Sequence, residues 1–267
     1  MQQNGKTPFS AVTEAGIDYH YANRLRCLMS VEDLLADVFA TLDDAGVTEN
    51  TYVFMSSDHG YKLGQYNTPF EKSSMYDTDV HVPFVVTGPG VPAGKTSSAL
   101  VSLMDVGATM LELAGVTASG ERISDGRSLV ALLDGSIPAL WRTEVLVEFF
   151  GASASWATVC SGMVVYDPPG CSPVPSAAAA YMIEGAQNTF SMLRRLSADG
   201  AQNYVYSEAR PMGAAHASAS TNWTELYDLN ADPDQTNNLA QSMSARQLAP
   251  YKRALWAIAH CSGAECP

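Results

Sequence analysis

The sequence is poor in basic residues and contains no long apolar run. Lysines and arginines number 15 against 28 aspartates and glutamates, so the 267-residue chain has a formal net charge of −13. A surface this acidic repels phosphate backbones, which argues against a nucleic-acid partner. The longest apolar stretch, residues 99–116, is interrupted by Asp105 and Glu112 and falls short of the ~20 apolar residues that a membrane span needs. With 46% hydrophobic residues, the chain can still bury a core.

Residues 1–6 contain no apolar segment of the kind that a signal peptide requires, so no leader is expected within the sequence as written. The cysteine pattern, in contrast, is typical of a protein of the secretory route. Cys160 and Cys171 form one pair close in sequence, and Cys261 and Cys266 form a second, which fits two short disulfide loops. Buried free thiols are the alternative for these four residues.

A glycosylation sequon accompanies the cysteines, at Asn222-Trp223-Thr224, and Cys27 is left over from the two pairs. Paired cysteines together with a sequon indicate a secretory route, lysosomal or extracellular. To reconcile this route with the missing leader, we expect the chain to be a portion of a longer protein.

The first part of the chain alternates between helical and extended patterns. Ser30-Val31-Glu32-Asp33 has the form of a capping box, so a helix is predicted from Val31, and Gly46 is its expected stop. The β-branched and aromatic run 51–57 predicts a strand. Because this run is continuously apolar, we expect a parallel sheet with both faces buried, and ligands bind at the carboxyl end of such strands.

Further strands are predicted at 82–86 and 144–150, with a helix at Leu103–Ala114 between them. Asp105, in this helix, is expected to support the fold by capping or by accepting a backbone N–H. After residue 151 short strand candidates alternate with small-residue loops, which predicts an antiparallel sheet, and a closing helix is predicted at Ala245–His260. The strand candidates are residues 163–166, 181–183, 204–206 and 225–229, and residues 172–180 are expected to form a loop.

Two residues that follow the strand at 51–57 are the first candidates for chemistry. Asp58 and His59 together offer a carboxylate oxygen and a neutral imidazole nitrogen that can share one divalent cation, and Gly60 lets the chain turn away. The alternative is an aspartate that caps the next turn beside an exposed histidine. Lys72 could hold a tetrahedral oxyanion as a point charge, although an isolated lysine is more often a solvated surface residue.

Four motifs in a fixed order carry a resemblance to a known family. They are SDHGYKLGQ (57–65), EKSSMYD (71–77), HVPFVVTGPG (81–90) and VSLMDVGATMLELAG (101–115). Together they resemble the sulfatase family of the alkaline-phosphatase-like superfamily. Three later motifs are similar to its N-acetylglucosamine-6-sulfatase branch, namely WRTEVLVE (141–148), LYDLNADPDQTNNL (226–239) and CSGAEC (261–266).

The resemblance implies an α/β, alkaline-phosphatase-like sulfatase fold that is incomplete. Residues 1–143 would be the C-terminal part of the main α/β domain, and residues 144–267 a C-terminal subdomain with an antiparallel sheet plus a helix. It also implies that Asp58 and His59 bind calcium and that Lys72 binds the sulfate of a sulfated sugar substrate.

The resemblance also indicates what the chain lacks. The family's nucleophile is a formylglycine made from the cysteine of a C-x-P-S-R-type motif, and none of the five cysteines here begins one. We therefore expect the N-terminal half of the sulfatase domain to be a necessary partner. This chain alone is expected to bind calcium weakly and to be inactive.

Three functions remain open from the sequence. The first is a portion of a lysosomal or secreted sulfatase that removes 6-sulfate from N-acetylglucosamine units of glycosaminoglycans. The second is a non-catalytic sulfatase-like protein that binds a glycan or a protein partner. The third, a phosphodiesterase of the same superfamily, would need two zinc ions and additional histidine ligands. With only five histidines in the chain, we rank it last.

Overall fold

The computed structural model of the chain contains two compact units. The first lies within residues 1–88, 149–189 and 210–220, and the second within 89–148, 190–209 and 221–267. The domain boundary expected at residues 143–144 stays a prediction. The described residues are 8–70, 72–116, 125–150, 164–165, 172–173, 189–210, 221, 223–261 and 266.

The first unit begins with a long helix, α1 (Ala11–Asp44). Ser10 caps it, because its hydroxyl accepts the Thr13 backbone N–H at 3.2 Å. The start predicted at Val31 is therefore wrong. No proline interrupts the preceding residues, and the capping-box pattern lies inside the helix. The predicted stop is confirmed, since Gly46 adopts a φ of 66° just beyond the end.

Two strands of the first unit, β1 (Val53–Ser56) and a later strand, pair antiparallel. The short helix α2 (Asp77–Val80) lies between them in the chain, and the second strand is β2 (Phe84–Thr87). Both strands were predicted, but the expected parallel pairing with buried faces is wrong for these residues. Met55 and Val85 remain 36% and 58% exposed. An apolar run specifies extended backbone and not the direction of its neighbour.

The second unit contains α3 (Met104–Leu113), which confirms the predicted helix. Asp105 is fully buried and accepts the backbone N–H groups of Ser102 at 2.8 Å and Arg127 at 2.7 Å. Arg142 donates to both carboxylate oxygens, at 2.8 and 2.9 Å. The fold-supporting role of Asp105 is therefore confirmed, because its buried charge is both paired and hydrogen-bonded.

Of the next three strands along the chain, the first lies almost wholly in the second unit and the other two lie in the first unit. β3 (Glu144–Phe149) confirms a predicted strand, and β4 (Val164–Val165) pairs antiparallel with β5 (Ser172–Pro173). β4 lies within the strand predicted at 163–166. β5 occupies the start of the predicted loop, so the loop prediction is wrong for those two residues. The strand predicted at 181–183 lies outside the described residues.

β3 joins three later strands in a four-stranded sheet of order β3-β6-β7-β8. These are β6 (Thr189–Leu196), β7 (Asn203–Arg210) and β8 (Trp223–Asp228). β7 and β8 run antiparallel. The antiparallel sheet predicted for this part of the chain is thus confirmed, with β6 as a strand that the sequence analysis did not identify.

The closing helix, α4 (Ala245–His260), has the bounds that the sequence predicts. A capping box of Ser244 and Gln247 fixes its start. The helix packs on one face of the sheet, where its buried residues join a hydrophobic core of Leu193, Tyr206, Leu226, Ala240, Leu255 and Ile258. None of the described helices, α1 included, has the length and apolar content of a bilayer crossing.

Candidate functional site

The segment after β1 is folded by hydrogen bonds among its own residues. The Ser57 hydroxyl donates to the His59 carbonyl at 2.8 Å, and Asp58 Oδ1 accepts the His59 backbone N–H at 3.0 Å. The Asp58 side chain stays 83% exposed beside the imidazole of His59, which is 36% exposed. Both side chains therefore stand at the carboxyl end of β1, accessible to a ligand.

The backbone fixes which nitrogen of His59 is free to bind a cation. Nδ1 lies 2.7 Å from the carbonyl oxygen of Gly60, which can only accept, so Nδ1 carries the proton and donates it. In the neutral ring Nε2 then carries the lone pair. Nε2 lies 3.3 Å from Asp58 Oδ2. A metal-binding histidine commonly has its other nitrogen held in this manner by a carbonyl group.

Lys72 reaches this pair from the loop that follows. Its ammonium group contacts His59 Nε2, the same atom that faces Asp58. The three residues selected from the sequence therefore meet at one place, with the imidazole in the middle. An ammonium group there offers a positive charge to an anion, whereas the imidazole and the carboxylate offer two donor atoms to a cation. The functional roles of these residues stay predictions.

Gly60 is required because two backbones approach closely. A Cβ atom at this position would lie 1.9 Å from the carbonyl oxygen of Thr78. The Gly60 N–H donates to the Asp79 carbonyl at 2.8 Å. The end of β1 is thereby fastened to α2, and any side chain at Gly60 would push the two apart.

A buried ion pair that the sequence analysis missed anchors the loop carrying Lys72. Lys62 and Asp79 are each 4% exposed, and the Lys62 ammonium lies 3.0 Å from Asp79 Oδ2. Ser74 completes the network, because it accepts from Lys62 at 2.8 Å and donates its backbone N–H to Asp79 at 2.8 Å. A single lysine carries no sequence signal of burial, because lysine is usually exposed, so only the structure could identify this network.

The donor set fits part of the coordination shell of a divalent cation. Asp58 supplies hard oxygen atoms and His59 supplies the lone pair of Nε2. Within the described ranges, no group of three or more His, Cys, Asp or Glu side chains is arranged to hold a metal ion. Since calcium takes six to eight oxygen ligands, these two residues would be a minority of its ligands.

The other residues singled out by sequence lie elsewhere in the chain. Cys261 and Cys266 are joined by a disulfide, and Cys27 is an exposed free thiol. The first cysteine pair and the glycosylation site stay predictions because their residues, Cys160, Cys171 and Asn222, lie outside the described part of the chain.

Solved structures define the class of fold. One is a protein in complex with its substrate D-glucosamine-2-N,6-O-disulfate, with a TM-score of 0.59 and 22% identity over 86% of this chain and 37% of that chain. Another is a Bacteroides fragilis protein described as a candidate sulfatase, with a TM-score of 0.64 and 16% identity over 95% of this chain and 46% of that chain. The fold is therefore the alkaline-phosphatase-like fold of the sulfatases, present in part.

Sequence comparison narrows the class to one family. The family model described as Sulfatase matches residues 2–116. Human N-acetylglucosamine-6-sulfatase is 32% identical over 99% of this chain. The chain belongs to the sulfatase family, whose members are sulfuric ester hydrolases. It spans about 45% of the length of the human relative.

Proposed function

We propose that the chain forms the divalent-metal- and sulfate-binding portion of a sulfatase that removes 6-sulfate from N-acetylglucosamine units of sulfated glycans such as glycosaminoglycans. The observation that carries this proposal is the contact of the Lys72 ammonium with His59 Nε2, beside the carboxylate of Asp58. The similarity to N-acetylglucosamine-6-sulfatase over nearly the whole chain supports the choice of sugar.

Asp58 and His59 would hold the metal ion, which we propose to be calcium. When bound, a divalent cation offsets negative charge that develops on sulfate oxygens. Lys72 contacts the lone pair of Nε2, which is the atom that a cation would bind. The Lys72 ammonium and the metal ion would therefore compete for this nitrogen, and metal binding would turn the ammonium group toward an incoming anion.

Lys72 would hold the sulfate group. An ammonium group on a flexible stem binds a tetrahedral oxyanion as a point charge, without the fixed geometry that a guanidinium needs. The buried pair of Lys62 and Asp79 limits where the loop can move, because Ser74 in the same loop is bonded to both residues. A restrained loop loses less conformational freedom when the anion binds.

We propose that the N-terminal half of the sulfatase domain is the partner that completes the site. Its supporting observation is the exposed apolar surface of the first unit, since α1 has no buried residue at all. Exposed apolar side chains of α1 include Val12, Leu25, Leu28, Met29 and Leu34, at 47–78% exposure. Large apolar surfaces of this kind mark interaction sites. We propose that the chain alone does not hydrolyse sulfate esters.

We also propose a lysosomal or secreted location for the whole protein. The disulfide of Cys261 and Cys266 supports it, because such bonds persist in the oxidising secretory compartments. The sequon at Asn222 is consistent with the same route.

Titration of the chain with calcium chloride and then sodium sulfate, followed through the NMR resonances of the His59 ring, tests the assignment. We expect calcium to shift these resonances with weak affinity, roughly 10⁻³ M, since only two ligands are present. Asp58→Ala should abolish the calcium shift, and Lys72→Ala should abolish the sulfate response while calcium still binds. Lys95→Ala, at an exposed lysine, serves as the control. A sulfate response that survives in Lys72→Ala would remove this residue from the site.

A non-catalytic sulfatase-like protein that binds a glycan or a protein partner is the second candidate. The observation in its favour is that no cysteine of the chain begins a formylglycine motif. It predicts sulfate-glycan binding without turnover, even when the N-terminal half of a sulfatase domain is supplied.

A further inference from the structure

The second unit contains a groove of about 510 Å³. None of its lining residues belongs to the motifs that contain Asp58, His59 and Lys72. It lies where the starts of β7 and α4 meet the end of β8, and all of its lining residues belong to the second unit. Pockets of this volume accept small molecules of one or two rings.

The wall of the groove is aromatic. The rings of Tyr204 and Tyr251 meet edge to face, with centroids 5.0 Å apart, and Tyr251 stacks on Tyr206 at 5.8 Å. These contacts hold the Tyr251 ring in place, while Leu226 and Met243 add apolar lining. Burial raises the pKa of Tyr204, against the opposing charge of Arg195, which agrees with an apolar setting.

The lining also carries polar groups with spare hydrogen-bonding capacity. Among the described residues, the phenol groups of Tyr204 and Tyr251 have no hydrogen-bond partner. Asp228 uses one carboxylate oxygen to accept the Asn230 backbone N–H at 3.0 Å, which leaves the other. Gln247 uses its amide oxygen in the capping box, which leaves its NH₂ donors. The groove therefore offers both donors and acceptors beside an aromatic surface.

We propose that this groove binds an uncharged pyranose sugar, such as an N-acetylhexosamine residue of a glycan. The C–H faces of a pyranose ring pack against aromatic side chains, and its hydroxyl groups both donate and accept hydrogen bonds.

The charge of the groove sets its preference among sugars. Asp228 is the only charged residue in the lining, and it is exposed. A sulfate ester placed near this carboxylate is repelled through solvent, so we expect the groove to bind sugars without sulfate more tightly than sulfated ones. This selection is opposite to that proposed for Lys72, and the proposal does not rest on the sulfatase activity.

Titration of the isotope-labelled full chain with N-acetylglucosamine and with its 6-sulfate, followed by amide NMR shifts, tests the proposal. We expect saturable shifts at β7, β8 and α4, with a dissociation constant of about 1 mM for the neutral sugar. The 6-sulfate should bind about fivefold more weakly, because like charges repel through solvent. Absence of saturable shifts in these elements would overturn the proposal.

Two conservative variants test sugar binding without removing side chains that pack the fold. Tyr251→Phe keeps the ring and its packing on Tyr206, and the loss of one hydrogen bond should weaken sugar binding about fivefold. Asp228→Asn should make the 6-sulfate bind as well as the neutral sugar. Tyr21→Phe, at an exposed tyrosine of α1, is the matched control and should change nothing. Unchanged binding in Tyr251→Phe, or an unchanged preference in Asp228→Asn, would overturn the proposal.

Discussion

The two units of the chain cover their apolar side chains to different extents. In the second unit, Leu193, Tyr206 and Leu255 are each at most 2% exposed within one cluster of the sheet and α4. In the first unit, Leu28 and Leu34 of α1 are 51% and 61% exposed. The same side-chain chemistry therefore gives a closed core in one unit and an open helix face in the other.

The difference shows that order near the candidate site does not depend on burial of α1. Lys62 and Asp79 are buried beside the site, while α1 of the same unit has no buried residue. Hydrogen bonds, charge pairing and the burial of Met75 and Tyr76, which are 0% and 3% exposed, hold the loop of Lys72. The exposed apolar side chains of α1 are not covered in this way. Substitutions should therefore have different consequences in the two units.

The largest expected effect is at the buried ion pair of the second unit. Arg142→Met leaves the carboxylate of Asp105 buried without its counter-charge, which should cost about 3–5 kcal/mol in the free energy of unfolding. Urea unfolding followed by tryptophan fluorescence measures it. Arg246→Met, at an exposed arginine of α4, is the control and should leave the midpoint unchanged. Equal midpoints for both variants would show that the pair is not required.

Matched leucine substitutions compare the two units directly. Leu255→Ala removes a side chain that is 2% exposed and should destabilise the protein by about 2–5 kcal/mol. Leu34→Ala, at a position 61% exposed, should change the free energy of unfolding by less than about 0.5 kcal/mol. Thermal unfolding of the two variants checks this. A large loss in Leu34→Ala would mean that a second copy or another segment covers α1.

Substitution of the two N-cap serines should have a smaller effect on stability, and this effect should differ between the two helices. Ser244→Ala breaks the capping box of α4 and should cost about 1 kcal/mol of global stability, since α4 packs on the core. Ser10→Ala removes the cap of α1, which packs little, so faster amide exchange should stay within its first turn. Hydrogen-exchange mass spectrometry distinguishes the two. Global loss from Ser10→Ala would contradict the comparison.

The smallest expected effect is a pH dependence within the second unit. Burial alone would raise the pKa of Asp232, but the backbone N–H groups of Thr236 and Asn237 and the Thr236 hydroxyl outweigh it and hold the pKa below 3.8. The stabilisation is present above the ordinary pKa and is lost as pH falls through the lowered one. Because Asp232 is only partly buried, solvent screens these contacts, and the stabilisation amounts to under about 1 kcal/mol.

Asp232→Asn should remove this contribution at neutral pH and flatten the acid limb of the stability curve. Unfolding of the wild type and the variant across the acidic range measures the difference. Asp199→Asn would be a poor control, because the Ser197 hydroxyl and the Ala201 backbone N–H lower the pKa of Asp199 too. Asp18→Asn on α1 is a suitable one. An equal loss of stability in acid for both variants would contradict the assignment.

The sequence was sufficient where a local signal coincides with the real end of an element. At α4, Ser244 and Gln247 form the capping box that starts the helix, and its predicted bounds are confirmed. At α1 the same kind of signal, beginning at Ser30, lies inside a helix that Ser10 starts. A capping pattern lowers the free energy of a helix end, but it cannot stop a helix that already extends through it.

The candidate site likewise contains residues that the sequence predicts and contacts that it does not predict. Asp58, His59 and Lys72 were found through a recognisable order of motifs, and the structure brings them into contact. The burial of Lys62 against Asp79 could not be predicted, since it depends on the approach of α2 to a segment 17 residues earlier in the chain. The antiparallel pairing of β1 and β2 could not be predicted either, because strand direction is set by topology and not by composition.

The most direct measurement is sulfate release from N-acetylglucosamine 6-sulfate by this chain combined with an N-terminal sulfatase half that carries the formylglycine. We expect no release by the chain alone and turnover by the combination. Asp58→Ala should abolish turnover, and Lys72→Ala should lower it by about 10²- to 10³-fold, the scale for one oxyanion contact. Turnover by the combination that stays near the wild-type rate in Lys72→Ala would contradict the proposed site.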